Sequence, residues 1–465
     1  MNDIADYSKR CRELDEEYEA LGCDLMPVVA ARSAGDVGFI SDTSDSIIYA
    51  CVFNAASVTM QDTLFLLGAE ADEYCGPIVV IGVHDDWVSD DGKSTRRFLW
   101  VDGQGQCNDV VVDEPISFDV VHLIHFKDSD EMKTHRVLTD KFKDAGIGLI
   151  NPSGMVSQVC DSKFKTFQLL SASNIPTSQT MLFSRFSLTE TAEVTERLER
   201  FFYKLSQAYP NEKELTLFVQ PDIGTEARDV TTFTFKIGQS IKGAEIVNDI
   251  CKRTEDTVVR LGRGNLFYKE DNPSRVIVRV NVFEGMRPED LSGYAVVAGT
   301  CDEDVVAISQ SAEKKSLHLI LDNLSYRQGQ SPSFTVSPQM VLYSAGRRIY
   351  QAINNDALPK DKISLLGIDF TLEAFVHGLT AVAIDVNPRA VIAHSMITTT
   401  NKKEKLGLGE SYWQNHFGYR SERLRDRLHL HRKQPEKGHY RLQPGRPDHL
   451  LDRIRLRHRF KAYRS

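Results

Sequence analysis

Two apolar runs, LLGIDFTLEAF (Leu365–Phe375) and AVAIDVNPRA (residues 381–390), each end on a polar site built around an aspartate. The short link at His377-Gly378 predicts that they are adjacent strands joined by a tight turn. Residues i and i+2 on a strand share a face, so Asp385 and Asn387 present oxygen to one side. Asp369 then faces them from the neighbouring strand. Two carboxylates and an amide suit a hard cation such as Mg²⁺, which takes few carboxylates and shares its shell with phosphate oxygens. Polar strand ends at a turn, where Asp and Asn are common, are the alternative on this pair alone.

Outward from this pair, the second half of the chain alternates strands and helices in an α+β order. A helix is expected from Asp161 (DSKFKTFQLLSAS) to Asn174, with Ile175-Pro176 opening an extended segment because proline cannot continue a helix. A long charged helix is expected from about Thr189 to Tyr209. LTLFVQ, the loop PDIGTEARD and VTTFTFK read as an antiparallel pair. RVIVRVNVF from Arg275, SGYAVVAGT from Ser292 and DVVAISQS from Asp304 are further strands, and a helix covers Pro338 to Asn354. Before Ser157, short Val- and Ile-rich runs begin at Met26, Ser46, Gly76 and Phe118. With the helix DEMKTHRVLTDKFKDAG they predict an open α/β domain, preceded by a charged amphipathic helix over residues 4–22.

Bulk properties narrow the function class. A chain of 465 residues predicts two or three domains. No run of about 18 uncharged apolar residues occurs, so no membrane span is expected, and the charged N-terminus does not read as a secretory signal. The eight cysteines are scattered singly with no Cys-x-x-Cys pair, which fits reduced thiols in a cytoplasm. From Arg420 to Ser465 there are 15 Lys and Arg against 5 Asp and Glu, whereas the other 419 residues carry 41 against 60. That acidic body is not expected to bind nucleic acid. The tail is either a basic amphipathic arm or an extension without a role in the chemistry.

In order along the chain, four stretches resemble the ATP-grasp superfamily. The segment INPSGMVSQVCDSKFKTFQLLSASNIPTSQTMLF is similar to the opening of the ATP-grasp domain, with Lys163 at the place of a lysine that contacts nucleotide phosphate. LFVQPDIGTEARDV resembles the strand and glycine-rich loop that close over the phosphates, through backbone N–H groups that bind anions. Here Gln220 stands where a lysine is expected, Gly224 is the single loop glycine, and Arg228 is the nearest replacement cation. VIVRVNVF lies where the family lines its adenine pocket, which implies nucleotide contacts from Arg279 and Asn281. The run Asp385-Val-Asn387-Pro388-Arg389 resembles the Glu-x-Asn-Pro-Arg of biotin carboxylases and amino-acid ligases, with Arg389 facing the acyl phosphate and Asp385 one methylene shorter than the family glutamate.

The resemblance implies an α/β domain of pre-ATP-grasp type over 1–158, an ATP-grasp domain over 159–400 and a basic extension over 401–465. It implies ATP and Mg²⁺ as cofactors, the metal on Asp369, Asp385 and Asn387, and an ATP-dependent carboxylate–amine ligase of the amino-acid or peptide type. Two other outcomes stay open: a kinase on the same fold, and a nucleotide-binding protein that has lost catalysis, the latter favoured by Gln220 and Asp385. Neither the carboxylate, the amine nor the oligomeric state is legible in the residues.

Overall fold

The computed structural model describes residues 32–33, 39, 46–54, 63–64, 67–68, 71, 78–102, 106–124, 129–185, 190–210, 213–224, 229–238, 245–262, 275–298, 313–316, 337–375, 378–390, 412–414 and 417. All belong to the first of the two compact units into which the chain divides, Met1–Gly418. The helix expected over 4–22, the strands expected from Met26 and Asp304, the loop residue Arg228, the turn residue His377 and the basic tail lie outside the described residues. Among the described residues no helix is long and apolar enough to cross a membrane.

The fold class is α/β followed by α+β. The first part is a seven-stranded sheet of β1 (Arg32–Ser33), β2 (Ile47–Phe53), β3 (Ile78–His84), β4 (Ser94–Val101), β5 (Cys107–Ser117), β6 (Val120–Leu123) and β7 (Gly148–Leu149). Its order is β1-β5-β4-β3-β2-β6-β7, with β3, β2, β6 and β7 mutually parallel. Every residue of β2 is buried, as expected of a parallel strand covered on both faces. On one face Ile48, Ala50 and Val52 pack with Leu138 and Phe142 of helix α1 (Ser129–Asp144). The antiparallel pair β4–β5 was not expected, because Arg96, Arg97, Asp109 and Asp113 interrupt its apolar alternation.

The helix expected from Asp161 to Asn174 is present as one helix over residues 163–172, and a short helix that was not expected precedes it. Helix α2 (Met155–Asp161) stops where Ser162 turns extended (φ −92°, ψ 115°), and α3 (Lys163–Ala172) starts afresh. Ser162 is the N-cap of α3, its Oγ accepting from Lys165 N–H at 3.1 Å. Lys163 sits in the first turn of this helix.

A four-stranded antiparallel sheet follows, built from β8 (Thr180–Phe183), β9 (Glu214–Pro221), β10 (Thr231–Lys236) and β11 (Thr257–Gly262) in the order β10-β9-β11-β8. Helices α4 (Thr191–Ala208) and α5 (Glu245–Lys252) cover one face. Leu215, Leu217, Val219, Val259 and Leu261 point into that core. Each large apolar side chain buried there contributes about 1.5–3 kcal/mol. Alternation sends Phe218, Gln220, Val258 and Arg260 to the opposite face.

The last sheet holds β12 (Arg275–Phe283), β13 (Ser292–Ala298), β14 (Glu313–Ser316), β15 (Leu365–Phe375) and β16 (Gly378–Asn387) in the order β14-β13-β12-β15-β16. The expected β15–β16 hairpin is present, with Phe375 opposite Gly378. Val280, Val282, Leu366, Ile368 and Val386 are fully buried. Helix α6 (Pro338–Asn354) packs on this sheet through Gly346, where an added Cβ would lie 2.9 Å from Val282 Cγ2. Gly293 is fixed by the sheet itself: a Cβ there would fall on the Arg279 carbonyl oxygen, and its φ is +152°.

Two seams join these parts. Pro176 and Ser178, on the link between α3 and β8, bond the backbone of Ala383 in β16 (Ala383 N–H to Pro176 O, 2.9 Å; Ser178 N–H to Ala383 O, 3.2 Å). Ser364, just before β15, donates to Ile150 O beyond β7 at 2.7 Å. In addition, Tyr412, Trp413 and Phe417 are buried against Tyr49 of β2, and Tyr412 meets Phe283 of β12 edge-on at 5.4 Å. Part of the segment from residue 401 onward thus belongs to the packed body.

Candidate functional site

Strand register builds the polar face of the last sheet. Arg279, Asp369 and Asp385 stand in one row across β12, β15 and β16, and Asn281, Gly367 and Asn387 stand in the next. The two rows are two residues apart on each strand and share a face. Arg279 clasps Asp369 through Nε and Nη2, both at 2.5 Å, a bidentate charge-assisted pair. Asp385 is directly opposite Asp369, and among the described residues its carboxylate accepts no hydrogen bond. The backbone is irregular just beyond this pair, between Asp369 and Phe370. Gly367, between Asn281 and Asn387 in this row, lets Ala390 pack close, since an added Cβ would lie 3.3 Å from the Ala390 Cβ.

The N-terminus of α3 forms the second wall. Asp222, just past the end of β9, accepts from Ser162 Oγ at 2.6 Å and from Phe164 N–H at 2.8 Å. Its own carbonyl accepts from Lys163 N–H at 3.1 Å. These bonds tie the end of β9 to the helix and orient Lys163, whose ammonium donates to Gly224 O at 2.7 Å and is close to Asp222 O at 3.4 Å. The Lys163 residue is 9% exposed. Burial lowers its pKa below that of a solvated lysine and Arg260 adds to this, while Asp385, Asp222 and Asp161 pull it back up.

Between the two sheets, Arg260 of β11 donates from Nη2 to the Ile384 carbonyl of β16. Arg389, beyond the end of β16, is buried and ion-paired with Asp161 at the end of α2. Burial raises the Asp161 carboxyl above the usual range, and the Arg389 charge opposes that rise. His135 of α1 lies near Arg389. Burial first, then the Arg389 charge, bring its pKa down to about 3, so it is a neutral imidazole, with Nε2 3.2 Å from Asn151 O.

Of the residues singled out in the sequence, the fold places Arg279, Asn281, Asp369, Asp385 and Asn387 on one sheet face, and Lys163 and Gly224 in direct contact at the α3 corner. Gln220 lies half-buried on the face of the four-stranded sheet away from α4 and α5, opposite the buried Val258. Arg279 is engaged with Asp369, so its guanidinium holds an acid rather than standing apart for a base. Three contributors escaped the sequence reading. Asp222 sits in a quoted loop, but its cap on α3 spans about sixty residues of chain. Asp161 and Arg260 left only a weak signal, the latter a single charge inside the apolar run TVVRLG.

The residues fit a divalent cation. The Asn281 Oδ1 oxygen is buried without a hydrogen-bond partner, and such an atom costs about 1–3 kcal/mol unless a ligand or water takes it; Asn387 Nδ2, also unpartnered, is an N–H donor, so only the Oδ1 of that amide can face a cation. Asp369 and Asp385 supply two carboxylates, too few for a closed protein cage but suited to Mg²⁺ sharing its shell with phosphate oxygens.

No protein-family model and no curated protein matches the chain. Solved structures similar to it include a D-alanyl-alanine synthetase A from Vibrio cholerae, at 12% identity and a TM-score of 0.42, covering 78% of this chain and 92% of that one. The D-alanine–D-alanine ligase of Bacillus anthracis complexed with ATP is 10% identical with a TM-score of 0.44, covering 82% of this chain and 100% of that one. A D-cycloserine synthetase is 13% identical with a TM-score of 0.45, covering 81% and 99%. At TM-scores below 0.5, the functional reading rests on the chain's own residues.

Proposed function

We propose that the chain is an ATP-dependent carboxylate–amine ligase of the ATP-grasp type, acting on amino acids or peptides in the cytoplasm through its 159–400 region. The observation that carries this reading is the meeting of an acid-and-amide face (Asp369, Asp385, Asn387) with a buried cationic corner (Lys163, Arg260) across the Ala383 seam. A metal–triphosphate needs both: oxygen ligands for its cation and donors for its anion.

In this reading the γ-phosphoryl group of ATP passes to a substrate carboxylate oxygen and ADP leaves. The amine nitrogen then attacks the acyl carbon, the C–O bond to phosphate breaks, and the amine loses a proton as the amide forms. Catalysis of phosphoryl transfer is mostly positioning and charge stabilisation. Asp385 and Asn387, with Asp369 steered by Arg279, would hold Mg²⁺, which spreads the charge of the phosphoryl oxygens when bound. Lys163 donates to phosphate while Asp222 fixes the helix that carries it. Gly224 would approach the phosphates through its backbone. Arg389, its guanidinium plane set by Asp161, orients the acyl phosphate as a fixed cation at developing negative charge.

The test is a mass-spectrometric screen of amino acids and short peptides with Mg·ATP. The expected result is a product one water lighter than the summed reactants, with ADP and phosphate released only when an amine is present. ADP release with a phosphorylated hydroxyl and no need of an amine would make the protein a kinase instead. ATP binding with no ADP formed over the whole screen would mark a site that has lost catalysis.

A further inference from the structure

The end of β9 has Gln220 where the resemblance calls for a cation, yet the sheet face around it is not neutral. In the β9–β11 register Val258 opposes Gln220 and Arg260 opposes Phe218. Arg260 thus rises from the same face as Gln220, one strand over and two residues along, a step of roughly 7 Å. The residue is 6% exposed, and among the described residues its hydrogen bond goes to the Ile384 carbonyl. A guanidinium carries five N–H donors in a fixed fork, so one backbone carbonyl leaves most of the fork unused. The neighbouring residue on β16 is Asp385, whose carboxylate accepts no hydrogen bond among the described residues.

We propose that Arg260 is the phosphate-binding cation that Gln220 does not supply, its site having moved from β9 to β11, with the phosphoryl oxygens of a nucleoside triphosphate as ligand. This rests on the ligase reading above. A further observation supports it. Lys163 and Arg260 are both buried, and each has its pKa lowered first by desolvation, with Arg260 also depressing Lys163. Asp385 and Asp222 oppose that lowering at both cations, and with Asp385 turned to a metal the two cations would be left to a polyphosphate. Arginine keeps its charge where a buried lysine can lose it, and its fork matches two phosphate oxygens at once. The competing account is a purely structural clamp that ties β11 to β16 through Ile384.

Binding of Mg·ATP and of adenosine, measured by calorimetry on wild type, Arg260→Gln and the double variant Arg260→Gln/Gln220→Lys, separates these accounts. Arg260→Gln is expected to weaken ATP at least about tenfold more than adenosine, the loss of a charged hydrogen bond. Gln220→Lys in that background is expected to recover most of the loss by returning a cation to the β9 position. Equal losses for ATP and adenosine, no loss, or no recovery in a folded double variant would overturn the proposal and leave the ligase reading standing. Should Arg260→Gln not fold, Arg260→Lys makes the same comparison: ATP is expected to suffer more than adenosine through loss of the fork, and parallel losses would establish the clamp. Wild-type protein that binds adenosine and ATP alike would overturn the ligase reading together with this one.

Discussion

The two sheets that border the site carry opposite chemistry on their facing residues. The five-stranded sheet presents Asp369, Asp385, Asn281 and Asn387, with Arg279 beside them paired to Asp369. The four-stranded sheet and the α3 corner present Arg260, Gln220 and Lys163, with Asp222 spent on the helix cap. Each face spends its minority charge internally and leaves the majority for something else. Strands of the same type, packed by similar apolar residues on their other sides, thus become a cation-seeking face and an anion-seeking one. The difference lies wholly in the alternate positions that the core does not use.

That comparison can be broken from either side. The largest effect is expected from Asp385→Ala with Asn387→Ala, which removes the oxygen donors from the acidic face. ADP formation should fall by at least about 100-fold, the scale of losing groups that stabilise transition-state charge, while the thermal transition stays near that of wild type, because both side chains stand at a strand end. A folded double variant with normal turnover would remove the cation from that face. The anionic partner is probed by pH. The Lys163 pKa lies below the 10.5 of a free lysine, so this ammonium loses its proton at a lower pH than a solvated one. ATP affinity should therefore weaken as pH rises towards that value. Lys163→Arg should flatten the decline, since a guanidinium stays charged. A decline of unchanged midpoint in Lys163→Arg would show that another group controls it. The smallest effect is expected from deleting residues 421–465: ATP turnover should stay within about twofold, as the residues of both faces lie before it. Loss of folded protein on that truncation would tie the tail to the body, whereas a cut before Tyr412 exposes Tyr49 and Phe283 and should destabilise strongly.

Much of the acidic face was legible because its signals are local. Asp385 and Asn387 are i and i+2 on one strand, and the apolar runs around them fix the hairpin register that brings Asp369 opposite. Helix α6 was equally plain, its start set by Ser337, whose Oγ caps Met340 N–H at 3.3 Å, and by Pro338 in the first turn. The cationic face was harder to read. Arg260 sits in a six-residue strand whose pairing with β9 and β8 is long-range, and nothing within TVVRLG says which neighbour it meets. Ser162 separates α2 from α3 because Asp222, sixty residues along the chain, accepts from its hydroxyl and from the Phe164 N–H, a partner the local sequence does not reveal. The aromatics of the 412–417 segment were hidden by their proximity to a basic tail of different composition.

The central claim is that a metal–triphosphate joins the two faces. The most direct measurement is calorimetric titration of the wild-type protein with ATP, in Mg²⁺ and again in excess chelator, alongside Lys163→Ala. The account predicts saturable binding of one ATP per chain that weakens sharply without Mg²⁺, and a loss of about tenfold or more in Lys163→Ala, the scale of a charged hydrogen bond. Folded wild-type protein with no saturable ATP binding, or binding indifferent to both the metal and Lys163, would contradict it.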